Sequence, residues 1–221
     1  MKNLASYIDH TILKPETTEA QVRQICQEAL DNKFFSVCVN TSFVPLCKTL
    51  LKSSQVKVCA VVGFPLGAMS TPAKAFETQW AVENGADEID MVIQIGELKG
   101  GNYDYVREDI RKVVEAAQGR TVKVIIETSL LTQNEKIKAC ELSKEAKAHF
   151  VKTSTGFGGG GATVDDVKLM KSVVGDALQV KASGGVRDQA TAEAMIAAGA
   201  TRLGTSSGVQ LVKNQNVTGA Y

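Results

Sequence analysis

Short β-branched runs alternate along this chain with longer stretches of helical period. The runs are Tyr7–Thr11, Phe35–Val39, Val56–Val62, Glu88–Ile95, Val122–Glu127, Phe150–Thr153, Gln179–Ala182 and Arg202–Thr205. Between them, apolar residues recur every three or four positions, as on one face of a helix. Val22, Ile25, Cys26, Ala29 and Leu30 form one such stripe, and Tyr103, Val106, Ile110, Val113, Val114 and Ala117 a second. Val164, Val167, Met170 and Val174 form a third with Lys171 at its edge, and Ala192, Met195, Ile196 and Gly199 a fourth. Thr71-Pro72 reads as an N-cap followed by proline at the first helical position. The stretch from Glu16 to Glu19 is an acidic, hydroxyl-rich helix start, and Gly85 and Gly199 stand where helices end. Eight strand runs separated by helices predict an α/β fold, a single (β/α)8 TIM barrel with a short N-terminal helical segment, in one domain over residues 1–221. The first run is short. Without it seven strands remain, and an open doubly wound sheet is the alternative.

Composition narrows the class of function. The formal charge is +1, which gives no electrostatic footprint for nucleic acid or an anionic membrane. No stretch reaches the length of a membrane span, and residues 1–14 carry no apolar segment of signal-peptide length. Cys26, Cys38, Cys47, Cys59 and Cys140 are odd in number and lack close spacing, so neither a disulfide framework nor a zinc site is expected. The expectation is a reduced, cytoplasmic protein with no metal.

Charges inside apolar strands carry the chemistry. Asp90, Lys152 and Lys181 each interrupt a β-branched run. Strand period two sends Val151 and Thr153 to one face and Lys152 to the other, so Lys152 should face the barrel interior; the same holds for Lys181 and Asp90. Unpaired charges there are costly, so the three should meet. A free lysine has a pKa of ~10.4, leaving about one amine in 2,500 neutral at pH 7. A neighbouring ammonium and desolvation raise that fraction, which makes a nucleophile that condenses with a carbonyl. The competing reading is a buried ion pair that only closes the barrel. The last two strands run into the small-residue turns Ser183–Arg187 and Gly204–Gly208, the place where TIM barrels often bind phosphate. Glycines also mark ordinary turns, and Arg187 is either a phosphate charge or a surface residue.

Five segments together resemble the deoxyribose-phosphate aldolase family: Ile8-Asp-His-Thr11, Gly85-Ala-Asp-Glu-Ile-Asp-Met-Val92, Val151-Lys-Thr-Ser-Thr-Gly-Phe157, Lys181-Ala-Ser-Gly-Gly-Val-Arg187 and Gly204-Thr-Ser-Ser207. The resemblance covers nearly the whole chain in order. It implies reversible cleavage of 2-deoxy-D-ribose 5-phosphate to D-glyceraldehyde 3-phosphate and acetaldehyde, in deoxynucleoside catabolism. It implies Lys152 as the imine former, Lys181 and Asp90 as proton handlers, and Thr155, Gly156, Gly184, Gly185, Gly204, Ser206 and Ser207 around the substrate and its phosphate. Asp9, Thr11, Cys38 and Tyr221 are possible accessories, Cys38 as a pocket residue or an inert buried thiol, Tyr221 as a proton carrier or a disordered end. No metal, no organic cofactor, no nucleic acid and no membrane partner are implied, only small-molecule sugar-phosphate and aldehyde substrates, with a homodimer as the assembly. Where some members carry Lys after the Thr-Ser-Thr-Gly motif, this chain has Phe157. Two other readings stay open: another imine-forming sugar-phosphate aldolase or a transaldolase, and a non-catalytic sugar-phosphate-binding barrel.

Overall fold

A computed structural model describes residues 4–215. A 3-10 turn, Leu4–Tyr7, leads into β1, Ile8–Thr11. The remaining strands are β2 (Ser36–Asn40), β3 (Lys57–Val62), β4 (Glu88–Val92), β5 (Thr121–Ile125), β6 (Phe150–Lys152), β7 (Gln179–Ser183) and β8 (Arg202–Thr205). All pair in parallel in sequence order, and β1 pairs with β8, so the sheet closes. The short first run is therefore a strand, and the open-sheet alternative is excluded. Several runs reach one residue past their strands, at Tyr7, Phe35, Val56 and Thr153, and two extend further. Ile95 belongs to a helix, and Glu127 leaves the strand at φ 55° and opens a 3-10 turn.

Helices follow each strand. They are α1 (Glu19–Asn32), α2 (Val44–Leu51), α3 (Thr71–Glu83), α4 (Ile95–Lys99), α5 (Tyr103–Ala116), α6 (Gln133–Glu145), α7 (Val164–Val174), α8 (Gln189–Ala197) and α9 (Gly208–Val212). Thr18 caps α1 in a reciprocal box with Gln21, as the hydroxyl-rich start implies. At α3 the sequence reading is one residue off. Ser70 is the N-cap, Thr71 opens the helix and Pro72 follows. The Thr71 hydroxyl is occupied elsewhere, donating to Asp109 Oδ1 at 2.8 Å.

Strand alternation sorts the core into two compartments. Outward residues such as Ile8, Val37, Val58, Ile89, Val122, Val151, Val180 and Leu203 are buried with the helix stripes in one apolar layer. Burying side chains of this size gives about 1.5–3 kcal/mol each. The inward residues are of a different kind: Asp9, Ser36, Glu88, Asp90, Lys123, Lys152, Lys181 and Arg202 are all buried. One small apolar cluster lies among them, Leu13, Cys38, Cys59 and Val61 with Phe64 against it, and Val92, Ile125 and Phe150 are buried on the same inward faces. Barrel interiors are normally filled by Val, Ile and Leu. Here the helix-facing layer carries the stability, and the interior carries charge.

Candidate active site

The expected meeting of Asp90, Lys152 and Lys181 occurs. Asp90 Oδ2 accepts from Lys152 Nζ at 2.8 Å and from Lys181 Nζ at 2.7 Å. Register explains this. Lys152 and Lys181 are direct neighbours across β6 and β7, and both point inward, with Asp90 reaching across from β4. Asp9, at the start of the first motif, takes the other side of Lys181 at 2.5 Å. Thr11 lies above it and donates to the Asp9 carbonyl at 2.8 Å.

Three participants went unremarked in the sequence reading. Lys123 on β5 donates to Asp90 Oδ1 at 2.8 Å and to Glu88 at 2.6 Å. Arg202, at the start of β8, joins Glu88 at 2.7 Å and also pairs with Asp9. Its guanidinium stacks 3.4 Å above the Phe35 ring at the floor of the barrel. The result is one continuous buried network of four cations (Lys123, Lys152, Lys181, Arg202) and three carboxylates (Asp9, Glu88, Asp90).

Burial alone would neutralise such groups, and their partners outweigh it. Desolvation pushes the Asp90 carboxyl up, but Lys123, Lys152 and Lys181 together hold it well below the usual carboxylate range. Asp9 is held low in the same way by Arg202 and Lys181. Burial opposes the charge on Lys181, and Asp9 and Asp90 overcome it, so this amine stays protonated more tightly than a free lysine. Lys123 is raised likewise by Asp90 and its other neighbours. Two carboxylates thus favour the charged form of Lys181.

The thiols sit against this network. Cys38, Cys59 and Asp90 place their donor atoms within 4.8 Å of one another, all buried. The donor set does not suit a cation. Both Asp90 oxygens are already held by ammonium groups, and burial pushes the Cys59 thiol well up from its ordinary value.

Above the network the loops after β1, β7 and β8 enclose a cavity of ≈ 350 Å3. Thr11, Gly184, Gly185, Gly204, Ser206 and Ser207 line it, as do Lys14 and Arg187. The two turns predicted as an anion site therefore form one wall, with two cationic side chains beside it. Gly204 joins cavity and network. A Cβ there would lie 2.8 Å from Ser183 Cβ and 3.1 Å from Lys181 Cε, so a side chain would press on both. Thr155 and Gly156 are not part of that wall. The Thr155 N–H and hydroxyl both go to the Glu127 carboxylate, with the N–H at 3.2 Å. Phe157 stands edge-on to Phe64 with ring centres 5.4 Å apart. Tyr221 lies outside the described residues.

A closed parallel barrel whose interior gathers lysine amines beneath a glycine- and serine-walled cavity at the strands' C-terminal ends defines a (β/α)8-barrel enzyme. Residues 4–214 match the DeoC/LacD family aldolase, and the chain belongs to that family. It is 66% identical over 218 residues to the deoxyribose-phosphate aldolase of Bdellovibrio bacteriovorus, covering 99% of both chains. A crystal structure described as a putative deoxyribose-phosphate aldolase from Coccidioides immitis superposes with TM-score 0.94 at 43% identity, over 96% of this chain and 85% of that one. The deoxyribose phosphate aldolase of Aeropyrum pernix, described as a unique tetrameric structure, superposes with TM-score 0.89 at 34% identity, over 95% and 89%.

Proposed function

We propose that this enzyme cleaves 2-deoxy-D-ribose 5-phosphate to D-glyceraldehyde 3-phosphate and acetaldehyde, reversibly, through an imine on Lys152. The observation that carries the reading is the single oxygen of Asp90 shared by Lys152 and Lys181 below a cavity rich in backbone donors. The substrate follows from the relatives' names, and the walls after β7 and β8, with Lys14 and Arg187, have the donors and charge for its phosphate.

The neutral Lys152 amine adds to the aldehyde carbon C1 of the open-chain sugar, and water leaves to give a protonated imine. The C3 hydroxyl proton passes to a base, the C2–C3 bond breaks, and its electron pair moves onto C2 as the imine becomes an enamine. The fragment from C3 to C5 leaves as glyceraldehyde 3-phosphate. Protonation of C2 restores an imine, and water releases acetaldehyde. The imine itself is the electron sink, so the sequence of steps uses no metal or organic cofactor. Asp90 is the only carboxylate of the network that touches Lys152, which suits it to carry the moving proton, directly or through water. Lys181 is held charged on both sides, which suits it to fix Asp90 and the developing oxyanion rather than to act as a base.

All five cysteines are free and buried, and no helix among the described residues is long and apolar enough to cross a membrane, in keeping with a cytoplasmic enzyme. Leu66 and Phe76 are 75% and 71% exposed with Trp80 one turn along α3, an apolar surface in keeping with a homodimer.

Reduction with borohydride in the presence of acetaldehyde, followed by peptide mass spectrometry, tests the chemistry. The expected adduct is on Lys152 and is absent from Lys152→Ala. An adduct on Lys181 would reverse the assignment. Release of glyceraldehyde 3-phosphate from deoxyribose 5-phosphate tests the substrate, against other sugar phosphates as acceptors for an aldolase or transaldolase of different specificity.

A further inference from the structure

We propose that Gly161, which does not line the cavity, is a positioning residue for phosphate recognition: with Ala162 it clasps the turn after β7 and sets the direction of that turn's N–H groups. This role rests on the reading above that the wall after β7 takes the phosphate.

Gly184 and Gly185 both lie in the left-handed region, at φ 78° and 77°, and both line the cavity. The N–H groups of Gly184, Gly185 and Val186 donate to no acceptor among the described residues. A turn that leaves successive backbone donors free suits an anion. Two glycines in a row have little preference of their own for that shape. The loop between β6 and α7 supplies it. The Ala162 N–H donates to the Ser183 carbonyl at 3.1 Å and to the Gly184 carbonyl at 3.0 Å. The Thr153 hydroxyl also donates to the Ser183 carbonyl, at 3.1 Å. A trans peptide is planar, so a held carbonyl fixes the N–H of the following residue in the opposite direction. The clasp on Ser183 thereby aims the Gly184 N–H, and the clasp on Gly184 aims the Gly185 N–H.

Gly161 lies flat on the same peptide. A Cβ on it would stand 2.6 Å from the Gly184 carbonyl oxygen, 2.7 Å from the carbonyl carbon and 3.1 Å from the Gly185 nitrogen. The approach is reciprocal, since a Cβ on Gly184 would stand 3.0 Å from Gly161 Cα. Gly161 is not itself in the left-handed region, so it is glycine for space and not for φ. Both ends of the clasp are anchored. Thr163, next after Ala162, caps α7 by accepting from the Asp166 N–H at 3.0 Å. At the other end a Cβ on Gly158 would lie 2.7 Å from Glu127 Cδ and one on Gly160 2.5 Å from Ser129 Cβ, while the Ser129 hydroxyl donates to the Gly158 carbonyl at 3.2 Å. The glycine run thus reaches from the residues after β5 to the turn after β7, across the end of the strand that carries Lys152. Only at Gly161 do the first atoms a side chain would meet belong to that turn; Gly159 has nothing within 4 Å.

The test compares kcat/KM for 2-deoxyribose 5-phosphate with that for unphosphorylated 2-deoxyribose, and follows borohydride-trapped acetaldehyde adduct on Lys152 as a measure of the imine step alone. In Gly161→Ala the preference for the phosphorylated sugar should fall by about tenfold or more, through KM, while cleavage of 2-deoxyribose and adduct formation stay within about twofold of the parent. Ala162→Pro removes the N–H that holds both carbonyls and should lose the preference in the same way; it serves alone where Gly161→Ala does not fold. Gly160→Ala presses on Ser129 in the same loop and should keep the parental preference. A parental preference in Gly161→Ala or in Ala162→Pro overturns the inference. An equal loss on both sugars does so too, because that is the mark of a residue that only supports the fold. So does a loss of preference in Gly160→Ala as large as that in Gly161→Ala. Parent enzyme that shows no preference for the phosphorylated sugar is a different result, because it removes the phosphate reading on which the role of Gly161 rests.

Discussion

Glu127 makes a small arrangement on which the loop above Lys152 depends. It sits in the left-handed region at φ 55°, with 2% of its surface exposed, and its carboxylate receives the N–H and hydroxyl of Thr155. Gly158 packs so close that a Cβ there would lie 2.7 Å from Glu127 Cδ. The strained backbone and the buried acid thus fix the first residues after β6, three beyond Lys152. Hydrogen bonds to a charged group give about 1.5–3 kcal/mol. Glu127→Ala should therefore loosen the loop and raise KM for the sugar phosphate by about tenfold or more, with trapping of acetaldehyde on Lys152 much less affected. Steady-state kinetics on both measures decides it, and an equal loss in both would show that Glu127 acts on the imine step instead. At Gly204 the expectation is the reverse. A methyl group there presses on Lys181, so Gly204→Ala should cut kcat by about tenfold or more, the loss spread over cleavage and synthesis alike. A fall confined to KM would separate Gly204 from Lys181 and leave it a phosphate-loop residue.

Elements were legible where a period of two or 3.6 repeats, and pairing between elements was not. All eight strand runs became strands because each keeps an apolar residue on its helix-facing side, even the four residues of β1. The runs ending at Ile95 and Glu127 overshoot because apolar residues continue past the strand into the next turn, and composition carries no mark of the left-handed residue that ends it. Lys123 bore the same signature as Lys152, a charge between two β-branched residues in an apolar strand, and was readable on that rule. Glu88 and Arg202 stand at strand starts, where a charge usually faces water, so only closure of the barrel reveals them as interior. The Lys74–Asp109 pair was beyond reach for a similar reason. It joins α3 to α5 at 2.6 Å with both side chains fully buried, while Lys74 also donates to the Val92 carbonyl at the end of β4. Burial pushes the Lys74 amine down despite Asp109. Removing only the acid leaves a buried ammonium unpaired, so Asp109→Ala should cost about 3–5 kcal/mol, while Lys74→Met with Asp109→Leu should recover most of it. Urea unfolding of the parent, Lys74→Met, Asp109→Leu and the double variant forms the cycle. Equal stabilities in the single and double variants would mean that the pair does not hold the two helices.

Across the whole molecule, placing the charge inside and the apolar layer outside the ring predicts how stability responds to pH. Asp9 and Asp90 are held low in the folded state, against an ordinary value of 3.8. Their contribution is fully present above that value and is lost as pH falls toward their folded values. Within that window the unfolded chain binds both protons and the native barrel binds neither. Two protons correspond to a slope of about 2.7 kcal/mol per pH unit, a steep acid transition for a protein of marginal stability. Lys123 and Lys181 act in the opposite direction. Both are raised above 10.5, so their contribution is complete below that pH and fades only as pH climbs through their folded values. Between the two limits Asp9, Asp90, Lys123 and Lys181 contribute a constant amount, so stability near neutral pH should be flat as far as these four groups decide it. Urea unfolding from about pH 2.5 to about pH 9 should therefore give a plateau and then an acid limb of at least two protons, the exposed Glu108, Glu135 and Asp188 carboxyls adding to it under salt screening. Salt separates the contributions: about 0.5 M salt should weaken the part from the exposed carboxyls and leave the buried two-proton part standing. An acid limb of one proton or fewer in high salt would mean that the interior carboxyls are not ionised in the folded barrel.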